Sequence, residues 1–191
     1  MKLDRKCSLI VVDLQNDFIT GSLAVPGALK IIERVNKYIT KFEKAGAKIF
    51  FTRDWHPITH SSFRENGGIW PTHCVQGSYG AEFHPSLKIP QHARIIAKGT
   101  DPRKEAYSGF DGTQLEQELR AFGITRVFIC GVATEYCVRA TVLDSLARGF
   151  ETYLLEDAIA AVNLKPDDER RAVIEMIQKG AKLLHLEELE D

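Results

Sequence analysis

The chain has 191 residues, 44% hydrophobic and 27% charged, with 25 Lys and Arg against 26 Asp and Glu for a net charge of −1. This fits one globular domain over residues 1–191, and the charge balance excludes the basic surface of a nucleic-acid or membrane-surface binder. No apolar run approaches the ~20 residues of a membrane span. Met1 to Cys7 leads into a strand-like segment without an apolar targeting region, so a cytoplasmic protein is expected.

Strand-like and helix-like segments alternate along the chain. Cys7 to Asp13 is an apolar run of strand length. Ala28 to Ala45 places Ile31, Ile32, Val35, Tyr38, Ile39 and Phe42 on one helical face, and Gly46 ends it. Ala47–Arg53 and Arg94–Lys98 read as the second and third strands. Thr113-Gln-Leu-Glu116 has the pattern of a capping box opening a helix with Leu115, Leu119 and Phe122. Thr125–Cys130 is the fourth strand, Glu135 to Arg148 a mostly apolar helix, and Phe150–Glu156 the fifth strand. Pro166, followed by Asp167, Asp168 and Glu169, starts a last helix, and Ala181–Leu186 is the sixth strand. Apolar strands joined by helices predict an α/β fold, a Rossmann-like, doubly wound, six-stranded parallel sheet with helices on both faces. The irregular segment from Asp54 to about Pro90, rich in Gly, Pro, His and aromatic residues, is long enough to suggest a function.

In such sheets ligands bind beyond the carboxyl ends of the strands. Those ends carry Asp13, Arg53-Asp54, Lys98 and, after Cys130-Gly131, the turn leading to Cys137. Asp13, Lys98 and Cys137 can therefore meet. At a helix start Cys137 would have a lowered thiol pKa, with Asp13 as proton carrier and Lys98 as orienting charge. The competing reading makes Cys137 a small core residue, Asp13 a strand-end cap and Lys98 a surface charge. Asp54, His56 and His73 have the donor types of a Zn²⁺, Fe²⁺ or Mn²⁺ site with open positions, or else are loop hydrogen-bonders. His60 and Glu65 lie nearby, and for His60 the hydrogen-bonding role is preferred. Phe18, Trp70 and Tyr107 are either core or a sandwich for a flat ring. His84, His92 and His185 read as surface or structural, and Cys7, Cys74 and Cys130 as packing.

Several stretches together resemble a known family. Val11-Val-Asp-Leu-Gln-Asn-Asp-Phe18 with Gly21-Ser-Leu-Ala-Val25 is similar to the first-strand motif of the isochorismatase-like cysteine hydrolases. Asp54-Trp-His-Pro57, Ser62-Phe63 and Trp70-Pro-Thr-His-Cys-Val-Gln76 resemble the metal loop of the nicotinamidase/pyrazinamidase branch. Lys98-Gly99, Ala106-Tyr-Ser-Gly-Phe110 and Gly131-Val-Ala-Thr-Glu-Tyr-Cys-Val138 complete the set in family order. The resemblance implies hydrolysis of nicotinamide, and of pyrazinamide, to the acid and ammonia, as in NAD salvage. It implies a triad of Asp13, Lys98 and Cys137, and an oxyanion hole from the N–H groups of Ala133 and Cys137. It also implies a substrate pocket of Phe18, Trp70, Tyr107, Val132 and Ala133 with a cis Val132–Ala133 peptide, and one divalent metal, zinc before iron or manganese, on Asp54, His56 and His73. A homo-oligomer is a further implication. Competing readings are a cysteine amidase for a carbamoyl or ureido substrate, which leaves the metal donors without a task, an isochorismatase, which would lack the cysteine, a non-catalytic binding protein, and a closed structural zinc site.

Overall fold

The computed structural model describes residues 1–190. The apolar run Cys7–Val12 forms β1, buried at all six positions. Its side chains alternate, with Leu9 and Val11 in one core layer and Ile10 and Val12 in the other, as a strand covered on both faces requires. The remaining strands are β2 (Lys48–Asp54), β3 (Arg94–Lys98), β4 (Arg126–Val132), β5 (Glu151–Ala160) and β6 (Lys182–Leu184). All pair in parallel, in the order β3-β2-β1-β4-β5-β6. The chain starts at the centre, walks to one edge, then returns to build the other half. The winding reverses between β1 and β4, and the crevice of a doubly wound sheet opens there.

A short helix α1 (Asn16–Ile19) follows β1, and α2 (Ala28–Lys44) forms the first crossover. Its buried Ile32, Val35, Ile39 and Phe42 follow helical spacing and pack in the layer of Leu9, Val11, Phe51 and Phe128. On the opposite face lie α3 (Leu115–Ala121), α4 (Arg139–Ala147) and α5 (Asp168–Gln178). Their Leu115, Leu119, Val142 and Met176 meet Ile10, Val12, Phe50 and Ile129. The six expected strands and the four main helices are all present. Among the described residues no helix is long and apolar enough to cross a membrane.

Three local expectations are corrected. The Thr113/Glu116 capping box does not form: Thr113 Oγ1 accepts the Leu115 N–H at 3.3 Å and donates to the Gly109 carbonyl, while Glu116 pairs with Arg120 and Arg148. The reach of Glu116 to two arginines on the solvent side outcompetes the turn back to its own helix start. The helix expected over Glu135–Arg148 is divided into a π-helical turn at Thr134–Val138 and α4. The i→i+5 bond from the Val138 N–H to the Ala133 carbonyl, 3.2 Å, defines that turn. β5 runs on past Glu156 to Ala160, because a register shift between Ile129 and Gly131 absorbs the polar Glu156-Asp157 pair and returns the strand beside Val132.

Gly131, at the end of β4, has φ +115°, and a Cβ there would lie 2.1 Å from the Val12 carbonyl oxygen. Both conditions demand glycine where the two switch-point strands touch. Gly131→Ala is expected to lower unfolding free energy by about 2 kcal/mol or more, read as a lower urea midpoint at unchanged slope.

Candidate active site and metal site

Four strand ends build the site. Asp13 follows β1 with φ +51°, and its carbonyl accepts the Gln15 N–H at 2.8 Å. The chain turns sharply there and leaves the carboxylate over the switch point. Asp54 ends β2 and Lys98 ends β3, and the two are register partners. Cys137 lies in the π-helical turn after β4. Residues separated by over a hundred positions are thereby brought together.

Lys98 is fully buried at the centre of this cluster. Its Nζ lies 2.9 Å from Asp13 Oδ2, 2.5 Å from Asp54 Oδ1, 3.3 Å from Cys137 Sγ and 3.3 Å from the Ala106 carbonyl oxygen. Asp13 Oδ1 also accepts from Thr52 Oγ1 at 2.7 Å. One carboxylate oxygen each of Asp13 and Asp54 lies with Cys137 Sγ inside a 4.8 Å group. Burial alone would discharge the lysine, but the two carboxylates and the sulfur outweigh it and hold its pKa well above the ordinary value. Burial likewise works against an ionised Asp54, yet Lys98 and His56 keep it below the usual carboxylate range. Asp13 goes the other way, raised by burial and by the neighbouring Asp54 charge in spite of Lys98.

The expected lowering of the Cys137 thiol is not found. Burial pushes it well above the ordinary value, Lys98 opposes this, and the Asp13 and Asp54 charges add to the rise. A helix-end dipole is a small term beside two carboxylates in a dry site. Burial thus raises the proton affinity of both Asp13 and Cys137, while Lys98 opposes the rise in each.

Asp54, His56 and His73 form a second convergence beside the first. Asp54 Oδ2 is 3.5 Å from His56 Nε2 and 3.9 Å from His73 Nε2. His56 donates from Nδ1 to the Gly99 carbonyl at 2.8 Å, and His73 from Nδ1 to the Pro71 carbonyl at 2.8 Å. Those bonds fix the tautomers and leave both Nε2 lone pairs available beside Asp54 Oδ2. His56 Nε2 is buried without a hydrogen-bond partner among the described residues. An orphaned buried nitrogen beside an ionised carboxylate and a second imidazole fits a divalent cation. Gly99 is required for this: it has φ +62°, and a Cβ would meet His56 Cε1 at 2.4 Å.

The His60 ring lies against His56, tilted by 32° with centroids 4.0 Å apart, but its nitrogens are occupied, Nδ1 by Ser62 at 2.7 Å and Nε2 by the Lys104 carbonyl at 3.1 Å. Glu65 accepts from Thr72 at the surface. His185 pairs with Glu156 at the surface, and Cys7, Cys74 and Cys130 are buried and free.

A narrow cleft opens onto Cys137, Asp54 and His73. Phe18, Trp70 and Tyr107 line it, as the sequence suggests, together with Ala133. Trp70 Nε1 donates to Tyr107 Oη at 3.0 Å, and both rings contact Tyr136. The Val132–Ala133 peptide is cis. The Val132 side chain is fully buried in the core and does not line the cleft, because the end of β4 turns it into the layer beneath.

The isochorismatase domain model matches residues 7–188. The chain belongs to the isochorismatase family. Within the family it is 35% identical to nicotinamidase of Escherichia coli, over 96% of this chain and 97% of that protein. It is 56% identical to pyrazinamidase of Pyrococcus horikoshii, whose crystal structure is in complex with zinc, with a TM-score of 0.91 over 95% of this chain and 99% of that one. PnC1 from L. infantum, solved with nicotinate, is 35% identical, with a TM-score of 0.91 over 100% and 99%. A divalent metal site in this family member is consistent with both the donor set and the zinc-bound relative.

The sequence reading missed several residues of this family member's site. Leu23, Val25, Glu105, Tyr136 and Val162 also line the cleft. Gln15 extends the β1–β2 pairing with its side chain: Oε1 accepts the Asp54 N–H, and Nε2 donates to the Asp54 and Ala81 carbonyls, all at 2.8–2.9 Å. Asp17 accepts the Cys74 N–H at 2.7 Å and so anchors the loop carrying His73. Their signal was present in the polar Gln15-Asn16-Asp17 run directly after an apolar strand, which no surface turn needs.

Elemental analysis after exhaustive dialysis and zinc loading should find about one divalent ion per chain. His56→Ala or His73→Ala should weaken retention beyond the ~10–100-fold that outer-sphere changes cause. His60→Ala should leave the stoichiometry at one.

Proposed function

We propose that this chain hydrolyses nicotinamide to nicotinate and ammonia, and accepts pyrazinamide as a related flat carboxamide. One observation carries the reading: a single slot walled by aromatic rings has a buried cysteine cluster on one side and an imidazole–carboxylate metal site on the other. A ring bearing both a nitrogen lone pair and a carboxamide engages both. A carbamoyl or ureido substrate would leave the metal donors idle. The nicotinamidase and pyrazinamidase relatives support the same choice.

Asp54, His56 and His73 would hold the ion, zinc in our reading because two imidazoles and a carboxylate suit it. When bound it supplies an electron-pair acceptor for the ring nitrogen, which fixes the ring's orientation. Phe18, Trp70 and Tyr107 confine the ring faces, and burial holds the Tyr107 phenol neutral by raising its pKa to about 12. The carboxamide carbon then faces Cys137 Sγ.

Cys137 passes its proton to Asp13 as sulfur attacks the carbonyl carbon. Burial raises the proton affinity of Asp13 above that of an ordinary carboxylate, which suits it to receive that proton. The backbone N–H groups of Ala133 and Cys137 would receive the developing oxyanion. Asp13 then protonates the amine as the C–N bond breaks, giving ammonia and a thioester. A water, deprotonated by Asp13, attacks the thioester and expels the Cys137 sulfur, which recovers the proton. Lys98 stays charged throughout and keeps Asp13 in place. All four cysteines are free, and we place the reaction in the cytoplasm, where thiols stay reduced.

Zinc-loaded wild type should release ammonia from nicotinamide in a coupled assay. Cys137→Ala should lose turnover by about 10³-fold or more with zinc content and melting temperature near wild type. Asp13→Asn should lose about 10²–10⁴-fold. No turnover by a folded, zinc-loaded wild type would overturn the substrate assignment.

A further inference from the structure

Glu135 lies two residues before Cys137, in the same π-helical turn, and neither the chemistry nor the metal site uses it. Its side chain is half-buried rather than solvated. Oε1 accepts the Asn163 N–H at 2.6 Å and Oε2 accepts the Val162 N–H at 3.3 Å. These residues belong to the segment that leaves β5 at Ala160. Val162 lines the cleft together with Cys137. Asn163 has φ +52°, a backbone conformation that non-glycine residues rarely adopt without support. Its own side chain accepts the Glu169 N–H at 3.0 Å, so the segment is gripped from both sides. One carboxylate therefore couples the turn that aims the sulfur to the apolar wall the ring rests against.

We propose that Glu135 is a positioning residue: it fixes Val162 relative to Cys137 and so sets the width of the slot and the fit of the ring. The role rests on the proposed carboxamide hydrolysis only for its kinetic consequence, because the strut itself is a property of the backbone. A carboxylate suits the task since a charged acceptor bonds two backbone N–H groups more strongly than a neutral one. Glutamine keeps one carbonyl oxygen at nearly the same place and should retain the Asn163 bond, while alanine keeps neither.

The test compares Glu135→Ala and Glu135→Gln with wild type, all zinc-loaded, by amide hydrogen exchange and by steady-state kinetics on nicotinamide. In Glu135→Ala the Val162 and Asn163 amides should exchange about tenfold faster or more, with exchange in β1 and β4 unchanged. The KM should rise about tenfold while kcat falls less than about threefold, and Glu135→Gln should recover most of the KM. Unchanged exchange at 162 and 163 would overturn the strut whatever the activity. Faster exchange with an unchanged KM, or a fall in kcat alone that follows melting temperature, would overturn the positioning role. If wild type does not turn over nicotinamide, the functional reading fails, and the strut stands or falls on the exchange data alone.

Discussion

A single buried ammonium organises this molecule's chemistry. Lys98 is buried away from solvent, so its charge is tolerable only while the Asp13 and Asp54 carboxylates lie against it. Each partner comes from a different strand end. The cluster forms only when the sheet has closed in its native order, and removing one partner leaves the others uncompensated. With both carboxylates ionised, two negative charges face one positive, and that residual charge helps to explain why Asp13 keeps its proton more readily than Asp54. It also suits an adjoining site that attracts a divalent cation.

Asp54 joins the two halves of the site. One oxygen faces Lys98, and the other faces His56 and His73. Any shift of β2 against β1 would therefore disturb both. The Gln15 side chain guards against such a shift, because it reproduces strand hydrogen bonds to Asp54 where the β1 backbone has already turned away. The irregular segment between β2 and β3 supplies His73, Trp70 and the carbonyl that orients His73. Asp17 and Gln15, both just beyond β1, hold that segment down. A long connection without regular structure is thus fixed by side chains where a helix would otherwise be fixed by its own backbone.

Fold class, strand count and the meeting of Asp13, Lys98 and Cys137 at one crevice were legible in the sequence because each rests on local pattern. A strand buried on both faces must be continuously apolar, and the polar residue that ends it must lie at the carboxyl edge, where such sheets bind ligands. Asp54, His56 and His73 were legible as donor types in one irregular segment. Local pattern failed where partners are distant. Thr113 and Glu116 look like a capping box, but Glu116 is claimed by Arg148, the residue just past the end of α4. Glu156-Asp157 looks like a strand end, but β4 shifts register to carry β5 through it.

The sequence by itself determined which residues can be buried and where the reactive ones fall along the chain, since both follow from residue type and periodicity. Only the tertiary structure decided the protonation balance and the shape of the slot. A helix start alone favours a thiolate at Cys137, yet the assembled site favours a retained proton, because burial and two carboxylates act over a few ångströms that the sequence does not encode. Val162, Tyr136 and Leu23 line the cleft for the same reason: their positions depend on how strands and loops pack, and their residue types are those of any core.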